Sequence, residues 1–327
     1  KGTEGTGSLA SALIVAQGGK LNAVGTATEP IIFTSINDNI EVGQTAGTNL
    51  DETNSGLWGG LIVLGNAPCS FSGDVQVVQI EGIPADDTFG LYGGDNATDN
   101  SGVYQYISIR HGGALIGEGN EINGLTLGGV GSGTLIENIE VVANVDDGIE
   151  FFGGTVNASH LLVWAQGDDA IDIDQAYSGV IDNAVVVLGV NSDHAFEIDG
   201  PEGTATGSFT LKNVTIVGNS VTENGEYADY RSGAMGTTEN IYAYGFKDTS
   251  DVELDNDGVA TNYNDGLLTF GAWEIVLPTG VSEVTDIFLN KAASVEVSGF
   301  GSTATAVSEG ASTVGATTSL LSWTYAN

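Results

Sequence analysis

The sequence predicts an all-β fold, a right-handed parallel β-helix in which a single solenoid carries parallel sheets along its length. Short β-branched runs such as ALIVAQGG and NIEVVAN alternate with Gly, Asn and Asp over most of the chain, and glycine accounts for 49 of the 327 residues. The runs recur with one period, since Asp146, Asp168 and Asp193 open three similar segments at steps of 22 and 25 residues. A strand repeat of this length is typical of a solenoid whose turns stack on one another.

Two strand columns share this period. The first follows the repeated aspartates, in IEFF at 149–152, IDID at 171–174 and FEID at 196–199, and the second contains IEVVAN, LLVWAQ and AVVVLG. Side chains alternate across a strand, so Ile149 and Phe151 are expected in the interior, with Ile171, Ile173, Phe196 and Ile198 stacked on them. Leucine-rich repeats share the period, but their leucine pattern is missing, and a β-propeller blade needs about 40 residues.

The residues between these apolar positions are expected to face outward and to form a ladder of carboxylates three turns tall. Neighbouring turns lie about 4.8 Å apart. The outward columns contain Glu150, Asp172 and Glu197; Phe152, Asp174 and Asp199; Asp146, Asp168 and Asp193; and Asp147, Asp169 and His194. Because carboxylates at this spacing repel one another, the ladder predicts bound divalent cations, with Ca²⁺ as the expected ion.

Composition limits the classes of partner. The chain has 43 acidic against 7 basic residues, a formal net charge of −36, which argues against binding to nucleic acid or to an anionic membrane. Cations are the natural partners, although an acidic surface also serves solubility alone. Cys69 is the only cysteine, and no run of about 18 apolar residues predicts a membrane span. The chain begins at Lys1 without a leader, which we interpret as a mature secreted or cell-surface protein or a fragment.

Several segments resemble secreted bacterial right-handed β-helix proteins of the pectate-lyase-like superfamily. The similarity lies in ALIVAQGGKLNAVGTATEPIIFTS at 12–35, in GLWGGLIVLGNAP and in the DDGIEFFGG and GDDAIDID segments, and it covers about residues 8 to 220. It implies the fold. It does not select an activity, because that superfamily contains enzymes, adhesins and structural proteins.

The aspartate motifs also resemble those of polygalacturonase-type glycoside hydrolases within this superfamily. The resemblance would make Asp146 or Asp147, with Asp168 and Asp169, the acid and base, and His194 an assisting residue. Two carboxylates perform this chemistry when one keeps its proton and the other activates water. The Arg-x-Lys substrate clamp of that family has no counterpart in this sequence, so no catalytic residue is favoured.

A second cation site is predicted in the acidic segment ELDNDGVATNYNDG at 253–266. Glu253, Asp255, Asp257 and Asp265 are its candidate ligands, because alternating oxygen ligands before a glycine are typical of calcium loops. An ordinary solvated acidic turn is the alternative. The position that would hold the bidentate glutamate of an EF-hand is Asn264.

The sequence divides into regular turns over 1–220, a continuation with loop insertions over 221–300, and a Ser/Thr/Gly-rich stretch with a closing segment over 301–327. Since no amphipathic helix precedes the first turn, head-to-tail self-association into filaments is one hypothesis, and a monomer whose edge is covered by an irregular segment is the other.

Function follows as a hypothesis. A secreted structural or adhesive protein that binds divalent cations is favoured over an enzyme, and a polysaccharide hydrolase is the alternative. A glycan is a candidate partner, since Trp58, Trp164, Trp273, Trp323 and Phe152 offer rings for stacking on sugars. Packing is the simpler interpretation of Trp164.

Overall fold

The chain forms a right-handed parallel β-helix, as the sequence predicts. The structure is a computed structural model that describes residues 1–3, 10–84, 87–114, 122–222 and 224–326. Successive turns place strands alternately in two long sheets whose strands are all parallel. The strands that follow one another in sequence therefore never pair with each other in these sheets, and the pairing partner is the strand one turn away.

Sheet 1 contains nine strands: β1 (Leu13–Val15), β4 (Leu61–Leu64), β8 (Leu125–Gly128), β10 (Ile149–Phe152), β12 (Ile171–Asp174), β14 (His194–Ile198), β16 (Glu226–Tyr230), β18 (Val252–Leu254) and β21 (Phe288–Asn290). Sheet 2 contains eleven: β2 (Leu21–Val24), β3 (Ile31–Phe33), β7 (Gly102–Arg110), β9 (Leu135–Val142), β11 (Asn157–Trp164), β13 (Val180–Val187), β15 (Phe209–Val217), β17 (Gly236–Tyr244), β19 (Leu268–Phe270), β20 (Trp273–Ile275) and β22 (Ala304–Ala306). A two-stranded antiparallel pair, β5 (Val78–Gln79) and β6 (Leu91–Tyr92), lies apart from both sheets.

The interior is the stacked apolar core that the alternation predicts. Ile149 pairs in register with Ile171, and Phe151 with Ile173. All four are buried, together with Phe196 and Ile198 on the next turn. Full burial of such side chains contributes roughly 1.5–3 kcal/mol each, so the stack is the main stabilising element of the solenoid.

A corner divides the long strands of sheet 2. One residue in each adopts a left-handed backbone conformation, at Tyr106, Asn138, His160, Asn183, Asn213 and Asn240. Asparagine tolerates this conformation because its side chain bonds locally, which explains why four of the six are asparagine. Asn240 Nδ2 donates to Asn213 Oδ1 at 3.1 Å, so the column also bonds from turn to turn.

Two segments cover the outer faces of the sheets. The first, termed the cover loop (residues 65–84 and 87–101), places Phe71, Ile80 and Tyr92 on the outer side of sheet 1. The second, termed the strap (residues 308–326), runs back along the outer side of sheet 2, where Leu321 packs on Leu162 and Val185.

Helical structure is sparse in the described residues. Helix α1 spans Asp257–Asn264, and short 3₁₀ helices occur at Ser72–Asp74, Thr88–Gly90, Val284–Ile287 and Thr318–Leu321. None of these helices has the length and apolar character that crossing a membrane requires. Sheet 1 continues to Asn290 and sheet 2 to Ala306, so the described residues form one solenoid in which α1 and its flanking loops interrupt the period.

Candidate functional site

The outward side of sheet 1 carries one continuous carboxylate column. In order along the solenoid, the register reads Thr126, Glu150, Asp172, Glu197, Asp229, Glu253 and Leu289. The column is thus five carboxylates tall, not three. Residue spacing in the sequence does not reveal Asp229 as part of the column and predicts a loop position for Glu253, because longer loops between turns change the spacing without changing the strand pairing.

Most of this column is outward but not exposed. Glu150, Asp172, Asp229 and Glu253 are 6, 9, 6 and 7% exposed. Phe152, in the neighbouring outward column, packs beneath the cover loop with its ring 6.0 Å from that of Tyr92. The idea that Phe152 offers a free ring to a sugar is therefore wrong, because alternation along a strand gives the direction of a side chain and not its exposure.

The turn before each strand of sheet 1 uses its aspartate to hold the next turn. Asp147 Oδ1 accepts the backbone N–H of Asp169 at 3.0 Å, and Asp169 Oδ1 accepts that of His194 at 2.8 Å. A Cβ on Gly148 would lie 2.7 Å from the carbonyl oxygen of Ala170, which explains the glycine after the aspartate pair. The repeated motif therefore builds the stack itself, whatever else its carboxylates do.

Three carboxylates from two turns meet beneath this surface, and we term them the trio: Asp147, Glu150 and Asp172. One oxygen atom from each lies within 4.8 Å of the others. Asn123 donates a hydrogen bond to Glu150, whereas Asp172 Oδ1 is buried without a hydrogen-bond partner. No lysine, arginine or histidine of the described chain forms an ion pair with the trio.

Burial and mutual repulsion make the trio hard to ionise. Burial, then the charges of Asp172 and Asp147, raise the pKa of Glu150 well above its usual value. Burial also raises the pKa of Asp147, to which Asp146 and Asp169 add, and that of Asp172, to which Asp147 and Asp169 add. Buried carboxylates in this state hold protons or a cation.

A second group adjoins the trio through a shared residue. Asp146, Asp147 and Asp168 also have oxygen atoms within 4.8 Å of one another, and Asp168 is exposed while Asp146 is half-buried. These groups together form a run of five carboxylates from the surface to the buried Asp172. The sequence predicts all five residues in the outward columns of the ladder, and Asp146, Asp147 and Asp168 are also predicted candidate catalytic residues.

His194 lies on the next turn, beside the fourth candidate aspartate. Its Nδ1 is 2.8 Å from Asp169 Oδ1, 3.8 Å from Asp193 Oδ1 and 3.9 Å from Glu197 Oε2. Burial acts to lower the pKa of His194, but the hydrogen bond and charge of Asp169 and the charge of Asp193 outweigh it and raise that pKa to about 9. The imidazolium is therefore the stable form at neutral pH.

Arg231 and Lys291, to which the sequence assigns no role, compensate the negative charge of the column from Glu197 to Glu253. Arg231 pairs with Glu197, donates from Nε to Asp199 Oδ2 at 2.6 Å and approaches Asp229 at 4.0 Å. Lys291 pairs with Glu253 and lies 3.4 Å from Asp251. The carboxylates of the column therefore differ along its length. Those of the trio have no basic partner among the described residues, whereas those from Glu197 onward lie beside Arg231 or Lys291.

The predicted calcium loop does not assemble. Glu253 lies on β18, in the column, while Asp257 opens helix α1 and Asp265 follows its end. Asn256 caps the helix by accepting from the backbone N–H groups of Gly258 and Val259, and Asp257 accepts the N–H of Ser294 at 2.8 Å. An eight-residue helix therefore separates residues that one ion would need to bring together, and Asp255 belongs to none of the carboxylate groups with metal-binding spacing.

Comparison with known proteins establishes the family. A family model described as a pectate-lyase-like β-helix domain matches residues 2–326. The chain belongs to this family. No curated protein and no solved structure matches it. As a pectate-lyase-like β-helix protein, it confirms the superfamily resemblance seen in the sequence and extends it over nearly the whole chain, while secretion and a bacterial source stay predictions.

Proposed function

We propose that this pectate-lyase-like β-helix protein is a secreted or cell-surface structural or adhesive protein whose solenoid is stabilised by a divalent cation, most suitably Ca²⁺. The trio is the observation that carries the proposal. It supplies only oxygen ligands, which Ca²⁺ prefers, and ligands at about 2.3–2.6 Å from one ion lie at most roughly 5 Å from each other. The oxygen atoms of the trio all lie within 4.8 Å of one another, which fits that limit.

The electrostatics of the trio support the same proposal. Its carboxylates are buried, their pKa values are raised, and no basic side chain of the described residues compensates them. A bound Ca²⁺ would supply the missing positive charge. Asp146 and the exposed Asp168 extend the carboxylate run to the surface, which gives an ion a route to the buried ligands.

Calorimetric titration of chelator-treated protein with CaCl₂ tests this function. We expect binding and a rise in melting temperature that grows with the ratio of free Ca²⁺ to its dissociation constant. Asp172→Asn should weaken both effects, whereas the matched control Asp265→Asn, at an exposed helix end, should leave them unchanged. A melting temperature that responds to neither calcium nor chelator contradicts the proposal.

A polysaccharide hydrolase is the second candidate, because the structure gathers Asp146, Asp147 and Asp168 in one group and hydrogen-bonds Asp169 to His194. The oxygen atoms of Asp146, Asp147 and Asp168 lie within 4.8 Å of one another. This separation counts against a mechanism in which one carboxyl is the acid and the other activates water, because that mechanism needs carboxyl groups roughly 6.5–9.5 Å apart. Release of reducing sugar from a polysaccharide panel, abolished in Asp168→Asn and Asp169→Asn, would establish the hydrolase instead.

Head-to-tail self-association stays a prediction, and it rests on the unpaired edges of the terminal strands. Among the described residues, β1 and β21 have a strand partner on one side only, while residues 1–3 pair with 34–36 at one corner of the first turn. Light scattering after size exclusion, with calcium present, distinguishes filaments from a monodisperse monomer.

A further inference from the structure

A cavity of about 340 Å³ lies where the strands of sheet 2 end, at the turns that lead into sheet 1, and its lining residues Val145 and Gly167 directly precede Asp146 and Asp168. Its floor comes from four successive turns, through Asn144, Trp164, the 188–191 segment and Asn219, and its wall comes from Glu52, Thr53 and Ser55. Turns about 4.8 Å apart make this an elongated site, several turns long. Its volume lies within the range of small-molecule sites.

Trp164 is the aromatic group of this cavity. Trp58, Trp273 and Trp323 are buried, whereas Trp164 is half-exposed. Its ring lies 6.0 Å from that of Tyr325 in the strap, at an interplanar angle of 36°, so packing holds it in place. No described residue accepts a hydrogen bond from the Trp164 indole N–H, and that nitrogen is not among the buried unpaired atoms.

Uncommitted polar groups line the same cavity. The amide of Asn191 is exposed and makes no hydrogen bond within the described residues, and the hydroxyl of Ser55 and the carboxylate of Glu52 are likewise without a described partner. An amide offers both donors and an acceptor, and a carboxylate offers acceptors only. None of the residues lining the cavity is basic.

We propose that this cavity binds an uncharged oligosaccharide, with Trp164 as the stacking platform and Asn191, Ser55 and Glu52 as hydrogen-bonding groups. A sugar ring has an apolar face suited to an indole and an edge of hydroxyls suited to amide and carboxylate oxygens. An acidic sugar is excluded by the absence of a lining cation, by Glu52 and by the net charge of −36. None of the trio residues lines the cavity, and the proposed binding uses no metal.

Titration calorimetry of the full chain with laminarihexaose, cellohexaose, xylohexaose and mannohexaose tests the site, with hexagalacturonate as the charged counterpart. We expect at least one neutral hexasaccharide to bind with a dissociation constant of about 1 mM or tighter, and Trp164→Ala to weaken it roughly tenfold or more. Asn191→Ala should weaken it less. Phe89→Ala removes a ring that is more exposed than Trp164, from the cover loop outside the cavity, and should change nothing.

Two further measurements keep the test decisive. Trp164→Phe keeps a ring against Tyr325 but removes the indole N–H, so it should bind more weakly than the wild type while melting at the same temperature. Binding should persist in chelator and in Asp172→Asn, which separates this site from the proposed calcium function. The proposal is overturned if no neutral sugar binds, if binding ignores both Trp164 and Asn191, or if hexagalacturonate binds as tightly as the neutral sugars.

Discussion

Two residues at equivalent positions of the repeat show how partners, and not position, decide the state of a carboxylate. Glu150 and Glu197 occupy the same column, yet Glu150 meets an amide and two buried aspartates while Glu197 meets Arg231. The two-residue alternation of a strand predicts the column from sequence. It does not predict Arg231, which lies 34 residues after Glu197 on a turn of irregular length.

Removing Arg231 should destabilise the metal-free protein more at alkaline than at acidic pH. Arg231→Gln leaves Glu197, Asp199 and Asp229 facing one another, and burial raises the pKa of Asp229 to about 6, so this carboxyl is protonated at pH 5 and charged at pH 8. Urea unfolding at both values measures the difference.

Lys212→Gln is the control for this change. It breaks the half-exposed pair of Lys212 with Asp182, 3.4 Å apart, and surface pairs contribute about 0–1 kcal/mol. Equal losses in the two variants, or a loss from Arg231→Gln that does not depend on pH, would count against a compensating role for Arg231.

Among the structural elements, the two sheets can be predicted from the sequence, whereas the cover loop and the strap cannot. The strand period gives the stacking of β10, β12 and β14 directly. The strap is rich in Ser, Thr and Gly and has no period of its own, because it binds through backbone N–H groups to side chains on four different turns: Thr313 to Glu274, Ala316 to Thr215, Thr317 to Asn183 and Ala326 to Glu140. The sequence does contain a signal for helix α1, because Asn256 is a typical N-cap residue, but the acidic residues around it are also typical of a calcium loop.

The end of the strap covers a buried ion pair whose disruption should be costly. Arg110 lies 3.5 Å from Glu140 and beneath the ring of Tyr325 at 4.5 Å, and both charged residues are buried. Arg110→Met leaves Glu140 buried and uncompensated, which should lower the free energy of unfolding by about 3–5 kcal/mol. The double variant Arg110→Met/Glu140→Leu should recover much of that loss in guanidinium unfolding. A double variant no more stable than the single one would contradict this account.

For the whole molecule, the acidic face should make the metal-free protein less stable as pH rises. Burial raises the pKa of both Asp174 and Glu226 to about 7, and that of His194 is raised to about 9 because its acidic neighbours outweigh burial. In each case the folded state binds protons more tightly than the unfolded state, so the stabilisation present at low pH is lost as pH rises through these values.

The melting temperature of chelator-treated protein should therefore fall between about pH 5 and pH 9, since a raised pKa in the folded state has this sign. Calcium should restore it at pH 8 and have little effect at pH 5, where protons already neutralise the trio. Scanning calorimetry with calcium and with chelator measures both curves. A metal-free protein that gains stability across this range would show that the carboxylates are already compensated.

If the trio of Asp147, Glu150 and Asp172 binds a divalent cation, the ion should be visible in an anomalous difference map of crystals grown in calcium at pH 8. We expect a peak at about 2.3–2.6 Å from oxygen atoms of all three residues. A calcium-saturated crystal without a peak between these carboxylates, or with calcium bound only elsewhere on the acidic surface, would contradict it.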